Sequence, residues 1–292
     1  MAAGERAIAY LGPEKFTALG NDLDDTISTG AYGGSPVGGA GTDVLVNGGV
    51  GAGTMIPHEA HDVYLVNHIG GVIVKNANGG TDEVRTTLAS YTLDANVENR
   101  AYPGTGSFIG TGNALTNVLT AGARAHYLDG GTGADRKIGG AGNATPVGGD
   151  GNDTPYDGAG ADALVGRVGD DVLTGGRGAD NLTGGVGADR FVFRLGNLDG
   201  NQSTTDVFSH FSRSEGDKID LSAFDADPTT TKPDPLIFVG SSGVTKHAGE
   251  LRVETIGNYP VVFGDLKDHG VVDFTLNLSK NAGTLITSDF VL

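Results

Sequence analysis

The chain contains an unbroken nine-residue repeat between Gly130 and Val192. Its seven units read GGTGADRKI, GGAGNATPV, GGDGNDTPY, DGAGADALV, GRVGDDVLT, GGRGADNLT and GGVGADRFV. Glycine prevails at places 1, 2 and 4 of the unit, aspartate at place 6 and an apolar residue at place 8. Such a fixed period predicts a stack of similar structural units, each in contact with its neighbours, rather than an ordinary globular core.

Each unit divides into a six-residue loop and a three-residue strand, so that two units form a coil of 18 residues. Glycine permits positive φ and close backbone approach, which exposes main-chain carbonyls in the loop. Each strand has one inward apolar side chain, so the core between opposite strands is thin. A thin core buries little apolar surface, whereas the glycines lose much conformational entropy on ordering. We therefore expect this region to need a bound metal in order to fold.

The composition of the whole chain restricts its function further. Collagen is excluded because the 51 glycines do not recur at every third position. The net charge of −17 disfavours nucleic acid as a partner, since phosphate neutralisation needs clusters of Lys and Arg. There is no cysteine, and so no disulfide can stabilise the fold. An acidic surface can serve solubility alone, but carboxylates that recur in phase indicate cation binding.

The nonapeptide region resembles the hemolysin-type (RTX) β-roll family. The resemblance implies an all-β fold, a right-handed parallel β-roll (a β-helix or solenoid), with Ca²⁺ as the cofactor. In that family each ion lies between loops two units apart. The lower loop supplies the carbonyls of places 2 and 4 and its Asp, and the upper loop supplies the carbonyls of places 1 and 3 and its Asp. Carried onto this sequence, one column of loops contains Asp135, Asp153, Asp171 and Asp189, and the other contains Ala144, Asp162 and Asp180.

The resemblance implies three complete ligand sets. They are Gly149, Gly151 and Asp153 with Gly166, Val168 and Asp171; Gly158, Gly160 and Asp162 with Gly175, Arg177 and Asp180; and Arg167, Gly169 and Asp171 with Gly184, Val186 and Asp189. A fourth and weaker set is Gly131, Gly133 and Asp135 with Gly148, Asp150 and Asp153. Residues without a carboxylate act through main-chain oxygen, and Arg167, at a place where glycine is usual, is expected to have a strained backbone. The alternative is that these loops are tight turns with solvated aspartates.

The inward residues predict that the roll is well formed from about 157 to 192 and looser from 130 to 156. Lys137, Pro146 and Pro155 stand at place 8, where a strand core needs an apolar residue. Proline also removes a donor from the hydrogen-bond ladder of a strand.

A weaker repeat block precedes this run. GNDLDDTIS (20–28) and GGAGTDVLV (38–46) fit the pattern, and Asp25 and Asp43 stand 18 residues apart, which predicts one further calcium site. We assign residues 1–61 to degenerate N-terminal repeats and 62–129 to β-rich linker coils. The nine-residue phase extends back to Gly112, where Asn117 takes the place of aspartate. Residues 130–192 are then the calcium-binding β-roll.

Residues 193–292 resemble the C-terminal domain shared by serralysin-type proteases and other RTX exoproteins. The most specific part runs from Asp206 through Phe208 and Phe211 to Glu215, Gly216, Asp217, Ile219 and Leu221. The resemblance implies a β-sandwich-like domain. A later acidic segment reads Asp265, Lys267, His269, Gly270 and Asp273, which favours a hairpin turn over a calcium site. The final TSDFVL is similar to the uncleaved signal of type I secretion, and the start MAAGERAIAYLGPEKF lacks an apolar leader.

No catalytic motif is found, so we do not expect an enzyme. His58-Glu59-Ala60-His61 lacks the spacing of a zincin helix, and neither a nucleophile elbow nor a cysteine nucleophile occurs. The sequence predicts a secreted, extracellular calcium-binding protein that folds on binding Ca²⁺ and is recognised by the type I secretion apparatus through its C-terminus. Alternatives are a non-catalytic export or folding module of a serralysin-like protease or lipase, a carbohydrate-binding or adhesive protein, and a membrane-active RTX protein. These would add a cell-surface glycan or a membrane to the partners; nucleic acid is not expected.

Overall fold

The computed structural model describes residues 6–10, 12–48, 51–194, 206–225, 234–242, 247–266 and 272–292. These residues form strands, turns and two short 3₁₀ helices, with no α-helix among them. Most strands pair in parallel with the strand one coil further along the chain, which is the arrangement of a parallel β-solenoid. The all-β solenoid predicted from the repeat is therefore confirmed. The chain divides into two compact units, Met1–Asp135 and Arg136–Leu292.

The first unit contains one long parallel sheet and several shorter ones. The long sheet contains, in order, β1 (Arg6–Ala9), β3 (Asp25–Ser28), β5 (Val44–Asn47), β7 (Val63–Val66), β9 (Glu83–Thr86), β11 (Asn99–Ala101) and β13 (Val118–Thr120). The shorter sheets are β2 (Phe16–Leu19) with β4 (Gly34–Val37), β6 (Thr54–Met55) with β8 (Val72–Ile73), and β10 (Ser90–Thr92) with β12 (Phe108–Thr111) and β14 (His126–Asp129). Because β5 pairs with β7, the sheet continues across the predicted boundary at residue 61.

The strands of the long sheet contribute buried side chains to the core of the first unit. Ile27, Leu45, Tyr64 and Val84 are fully buried, and each is the second residue after an acid. Alternate residues of a strand point to opposite faces, so the acid lies on the same face as the buried side chain. The coils from 62 onward thus repeat the acid-and-apolar pattern, even though their length is not 18 residues.

The second unit continues the same strand pattern and adds a C-terminal extension. One sheet pairs β15 (Arg136–Ile138) with β17 (Thr154–Tyr156). A second contains, in order, β16 (Thr145–Asp150), β18 (Ala163–Val168), β20 (Asn181–Val186), β22 (Asp206–His210), β27 (Phe274–Leu278), β26 (Tyr259–Asp265), β25 (Glu250–Ile256) and β24 (Ile237–Phe238). A third contains β19 (Val172–Leu173), β21 (Arg190–Val192), β23 (Lys218–Asp220) and β28 (Phe290–Val291). The 3₁₀ helices are Lys280–Ala282 and Thr287–Asp289.

The apolar core of the second unit widens toward its C-terminal end. Leu164, Leu182 and Phe191 are at most 1% exposed, as the repeat predicts. Beyond them the rings of Phe191 and Phe208 contact edge to face, with centroids 4.9 Å apart. The sheet of the C-terminal extension is mixed. β22 and β27 pair in parallel, whereas β26 pairs antiparallel with both β25 and β27. The predicted β-sandwich-like domain stays a prediction.

The expectation of poorly formed strands before residue 157 is not met in the second unit. Pro146 lies in β16 and Pro155 in β17. Proline lacks only its own N–H, and its carbonyl still accepts a ladder hydrogen bond, as Pro155 does from Thr174 at 3.1 Å. One lost donor per strand is compatible with a solenoid whose other ladder bonds are made.

Candidate metal centre

The place-6 aspartates of the second unit are stacked in ladders. Asp153 donates its main-chain N–H to Oδ1 of Asp171 at 2.7 Å, and Asp171 donates in turn to Asp189 at 3.0 Å. In the other column Asp162 donates to Oδ1 of Asp180, also at 3.0 Å. Within each of the two columns inferred from the sequence, successive aspartates, which are 18 residues apart, are therefore adjacent in space. We call the space between successive loops of one column a gap.

Four of these aspartates have a second carboxylate oxygen that makes no hydrogen bond within the described residues. These are Asp162, Asp171, Asp180 and Asp189; in each the Oδ2 atom is buried and the residue is at most 2% exposed. Burial raises the pKa of Asp171 to about 7, and those of Asp180 and Asp189 to about 6. A buried oxygen that accepts nothing destabilises the fold, because it has lost its water without a replacement. These oxygens are what a bound cation would contact.

The glycine at place 1 is required by the position of that oxygen. A Cβ on Gly166 would lie 2.1 Å from Oδ2 of Asp171 and 2.4 Å from the carbonyl oxygen of Gly184, in the next coil. The same clash occurs at Gly175 with Asp180 and at Gly184 with Asp189, at 2.3 and 2.0 Å. Thus Oδ1 faces the gap below, and Oδ2 faces the gap above beside a place-1 carbonyl. This matches the carboxylate and carbonyl pair that the resemblance assigns to each ion.

Main-chain conformation at places 2 and 4 also follows the repeat. Gly149 and Gly169 have φ values of 120° and 131°. Arg167 stands at place 2 with φ of 92°, which confirms the strained backbone expected there. Val168 and Val186, at place 3, are 49% and 60% exposed. Their side chains therefore do not fill the gap, which is lined by main-chain atoms at this place.

The fourth predicted set contains a buried lysine. Lys137, at place 8 of its nine-residue unit, is fully buried. Its ammonium lies 3.1 Å from the carbonyl of Gly148 and 3.3 Å from the carboxylate of Asp153. These are two of the ligands predicted for that set. The other predicted members, Gly131, Gly133 and Asp135, belong to the first unit. There Oδ1 of Asp135 accepts the N–H of Asn117 at 2.7 Å.

The predicted N-terminal pair is also part of a ladder. Asp25 donates its N–H to Oδ1 of Asp43 at 2.8 Å, and the ladder continues to Asp62 and Asp82 at the same distance. The 18-residue period does not predict Asp62 and Asp82, because their steps along the chain are 19 and 20 residues. A buried residue two places after an acid would have identified both.

A second buried lysine closes this ladder in the first unit. The ammonium of Lys75 lies 2.8 Å from the carbonyl of Gly80, 2.8 Å from Glu98 and 3.3 Å from Asp82. Tyr64 donates its hydroxyl at 2.5 Å to Oδ2 of Asp82, the same oxygen that Lys75 contacts. The carboxylates of Asp82 and Glu98 are therefore neutralised by the protein itself, whereas Oδ2 of Asp43 and Oδ2 of Asp62 are buried without a hydrogen bond within the described residues.

Both ladders of the second unit extend past the repeat. Asp180 donates its N–H to Asp206, and Asp189 donates to Asp217, each at 2.9 Å. Burial raises the pKa of Asp206 to about 7 and also raises that of Asp217. The 18-residue period does not predict this continuation, because the steps from Asp180 to Asp206 and from Asp189 to Asp217 are 26 and 28 residues.

The remaining predicted features lie away from the ladders. Asp265 is buried and Asp273 accepts the N–H of Leu266, whereas Lys267, His269 and Gly270 lie outside the described residues. In the segment TSDFVL, β28 pairs with β23, and Asp289 forms an ion pair with Arg213 at 2.8 Å.

Within the described ranges, no group of three or more His, Cys, Asp or Glu side chains is arranged to hold a metal. A gap in the ladders instead combines two carboxylates with main-chain carbonyls, which is an oxygen-only set suited to a hard cation. No helix in the described part of the chain is long and apolar enough to cross a membrane.

Comparison with known families agrees with this geometry. Residues 111–146, 147–173 and 156–191 match the RTX calcium-binding nonapeptide repeat (4 copies). This part of the chain is therefore similar to RTX calcium-binding repeats. The match begins next to Gly112, where the sequence analysis placed the first unit in phase. No curated protein matches the chain.

Twenty-six chains of known structure match this chain. One is the solution structure of the AlgE6R3 subunit from the Azotobacter vinelandii mannuronan C5-epimerase. It is 26% identical, and the alignment covers 51% of this chain and 78% of that one, with a TM-score of 0.38.

Proposed function

We propose that this protein is a secreted, extracellular, non-enzymatic calcium-binding protein whose β-roll folds when Ca²⁺ binds. The observation that supports this most directly is the set of buried Oδ2 atoms without partners at Asp162, Asp171, Asp180 and Asp189. Unfolding returns these oxygens to water, and a cation bound in the gaps replaces that water in the fold. Both unfolding and cation binding remove the free-energy cost of these buried oxygens, but only cation binding keeps the roll folded.

The donor set fits calcium. Ca²⁺ takes six to eight oxygen ligands in flexible geometry, whereas Mg²⁺ demands a tight octahedron and keeps several waters. In one gap the carboxylates of Asp171 and Asp189 would hold the ion together with the carbonyls of Arg167, Gly169, Gly184 and Val186. The gap between Asp162 and Asp180 and the gap between Asp153 and Asp171 offer equivalent sets.

Extracellular calcium contributes substantially to folding at such sites. Extracellular calcium modules have dissociation constants of roughly 10⁻⁴–10⁻³ M. At about millimolar free calcium, a site with a dissociation constant of roughly 10⁻⁴ M stabilises the fold by about 1.4 kcal/mol. Three such sites together contribute about 4 kcal/mol, which is close to the lower end of the stability of an ordinary domain, roughly 5–15 kcal/mol. Where free calcium is scarce, the same carboxylates oppose folding.

The structure of the C-terminal segment is compatible with export before folding. Phe290 is buried, and Asp289 is held by Arg213. A secretion apparatus that reads TSDFVL would therefore reach it before β28 pairs with β23. Calcium outside the cell would then complete folding after export.

Isothermal titration and a bound-calcium count on the full chain test the binding. Asp171 faces two gaps, so Asp171→Asn should remove about two ions. The matched control is Asp170→Asn, because Asp170 is exposed and its carboxylate accepts the N–H of Ala188 at 2.8 Å. The control should bind as many ions as the unaltered chain. Absence of calcium binding by the unaltered chain at millimolar calcium would overturn the proposal.

A further inference from the structure

Asp157 is an acid in a place that the repeat normally gives to glycine. It is the first residue of the unit DGAGADALV, whereas the other six units of the run begin with Gly. The side chain is fully buried, and its Oδ2 makes no hydrogen bond within the part of the chain that the structure describes. Its Oδ1 accepts the N–H of Gly158 at 2.9 Å. A buried acid with a free oxygen at an unusual place requires an explanation beyond the family pattern.

The carboxylate of Asp157 points into the gap below it. A Cβ on Gly139, one coil lower, would lie 2.2 and 2.3 Å from the two carboxylate oxygens of Asp157. At Gly166, Gly175 and Gly184 the corresponding volume is filled by Oδ2 of the aspartate at place 6 of the same unit. The unit that begins with Gly139 has no such aspartate, because Ala144 stands at its place 6.

The other members of this gap have the arrangement of an intact one. Oδ1 of Asp162 accepts the N–H of Ala144 at 2.8 Å, as Asp180 accepts that of Asp162 at 3.0 Å. The N–H of Ala159 donates to the carbonyl of Gly140 at 3.0 Å, and that of Arg177 donates to Gly158 at 2.8 Å one coil higher. In these two contacts the gap below Asp157 corresponds to the intact gap one coil higher.

We infer that Asp157 supplies the carboxylate that Ala144 lacks, so that the gap between units 139–147 and 157–165 holds a calcium ion of its own. The ligands are the carboxylates of Asp157 and Asp162 and main-chain carbonyls of the lower loop, Gly140 among them. In this gap the carboxylate comes from place 1 of the upper loop instead of place 6 of the lower loop. A carboxylate from either place reaches the same volume beside the place-1 glycine of the lower loop. This inference rests on the proposed calcium binding of the roll and adds a site that the repeat pattern omits.

Two buried acids, Asp157 and Asp162, face this gap, and a cation bound there would neutralise both. The opposing explanation is that Asp157 only caps the N–H of Gly158 and remains neutral. A cap would stabilise the loop equally with and without calcium, whereas a ligand changes the number of ions bound.

The test is a bound-calcium count on the full chain by equilibrium dialysis and elemental analysis, with titration calorimetry beside it. Asp157→Gly restores the usual glycine and should bind one ion fewer than the unaltered chain. The double variant Asp157→Gly with Ala144→Asp returns the carboxylate to place 6 and should regain that ion. Asp170→Asn is the control for loss of a nearby acid and should bind the full number.

Each outcome is decisive. If the unaltered chain binds calcium and Asp157→Gly binds the same number of ions, this inference is wrong while the proposed function stands. If the unaltered chain binds no calcium, the proposed function itself fails. Should Asp157→Gly not fold in calcium, Asp157→Asn, which keeps the shape and the acceptor for Gly158, gives the count instead; an undiminished count there overturns the site.

Discussion

Two sets of coils in this chain carry the same carboxylate ladder and neutralise it differently. In the coils from 75 to 98, the buried ammonium of Lys75 contacts Asp82 and Glu98. In the coils from 162 to 189, Asp171 and Asp189 keep a buried oxygen that no described donor reaches. The ladder bonds themselves are alike, 2.8 Å from Asp62 to Asp82 and 3.0 Å from Asp171 to Asp189. We therefore expect a column of aspartates to need a metal only where no internal lysine reaches its carboxylates.

Calcium removal should separate the two sets most strongly. In excess EGTA we expect the amides of residues 162–189 to lose protection from hydrogen exchange, because about 2.7 kcal/mol per site is withdrawn when calcium at 100 times the dissociation constant is removed. The amides of residues 62–98 should keep more of their protection, because Lys75 remains. The measurement is exchange mass spectrometry on the full chain with and without EGTA. Equal loss of protection in both segments would contradict the comparison.

Removing the lysine should give the first set the behaviour of the second. Lys75→Met leaves Asp82 and Glu98 without their buried cation, and breaking a buried ion pair costs about 3–5 kcal/mol. Thermal unfolding of the variant should become calcium-dependent in the coils from 62 to 98. Arg85→Met is the control, since the Arg85 side chain is 52% exposed and its ion pair with Glu83 is at the surface. A variant as stable as the unaltered chain in EGTA would show that Lys75 is dispensable.

The sequence predicted the coils wherever the period is regular, and failed wherever loop length changes. Leu164, Leu182 and Phe191 are inward as the repeat requires. Asp62 and Asp206 escaped because ladder contacts depend on stacking in space, whereas the sequence pattern counts residues along the chain. The role of Lys137 could not be predicted either, since its ammonium reaches a carbonyl of the unit after next. Only the fold shows which loop lies above which.

The pH dependence of the metal-free protein offers a smaller effect. Burial raises the pKa of Asp171 to about 7 from the ordinary 3.8, and burial does the same to Asp43. The folded state therefore holds protons that the unfolded state releases above about pH 4. Stability from these groups is fully present below that pH and is lost as pH rises through about 7. In EGTA the melting temperature should be higher at pH 5 than at pH 8.

Calcium should reverse that trend, because the ion binds the ionised carboxylates and displaces their protons. The rise in melting temperature on adding calcium should therefore be larger at pH 8 than at pH 5. A rise that is the same at both values would show that these aspartates are already ionised in the metal-free fold.

The smallest effect concerns the backbone of a single calcium loop. Arg167 has φ of 92°, a conformation that costs a residue with a Cβ roughly 1–3 kcal/mol and costs glycine little. Arg167→Gly should stabilise the protein by about 1 kcal/mol in calcium, and since Arg167 acts through its carbonyl, the ion count should not change. Arg177→Gly is the control, because Arg177 has no positive φ and glycine there only adds freedom to the unfolded chain. If both variants lowered the melting temperature alike, the side chain of Arg167 would contribute more than its backbone strain removes, and the loops of the second set would depend on arginine as the coils of the first depend on lysine.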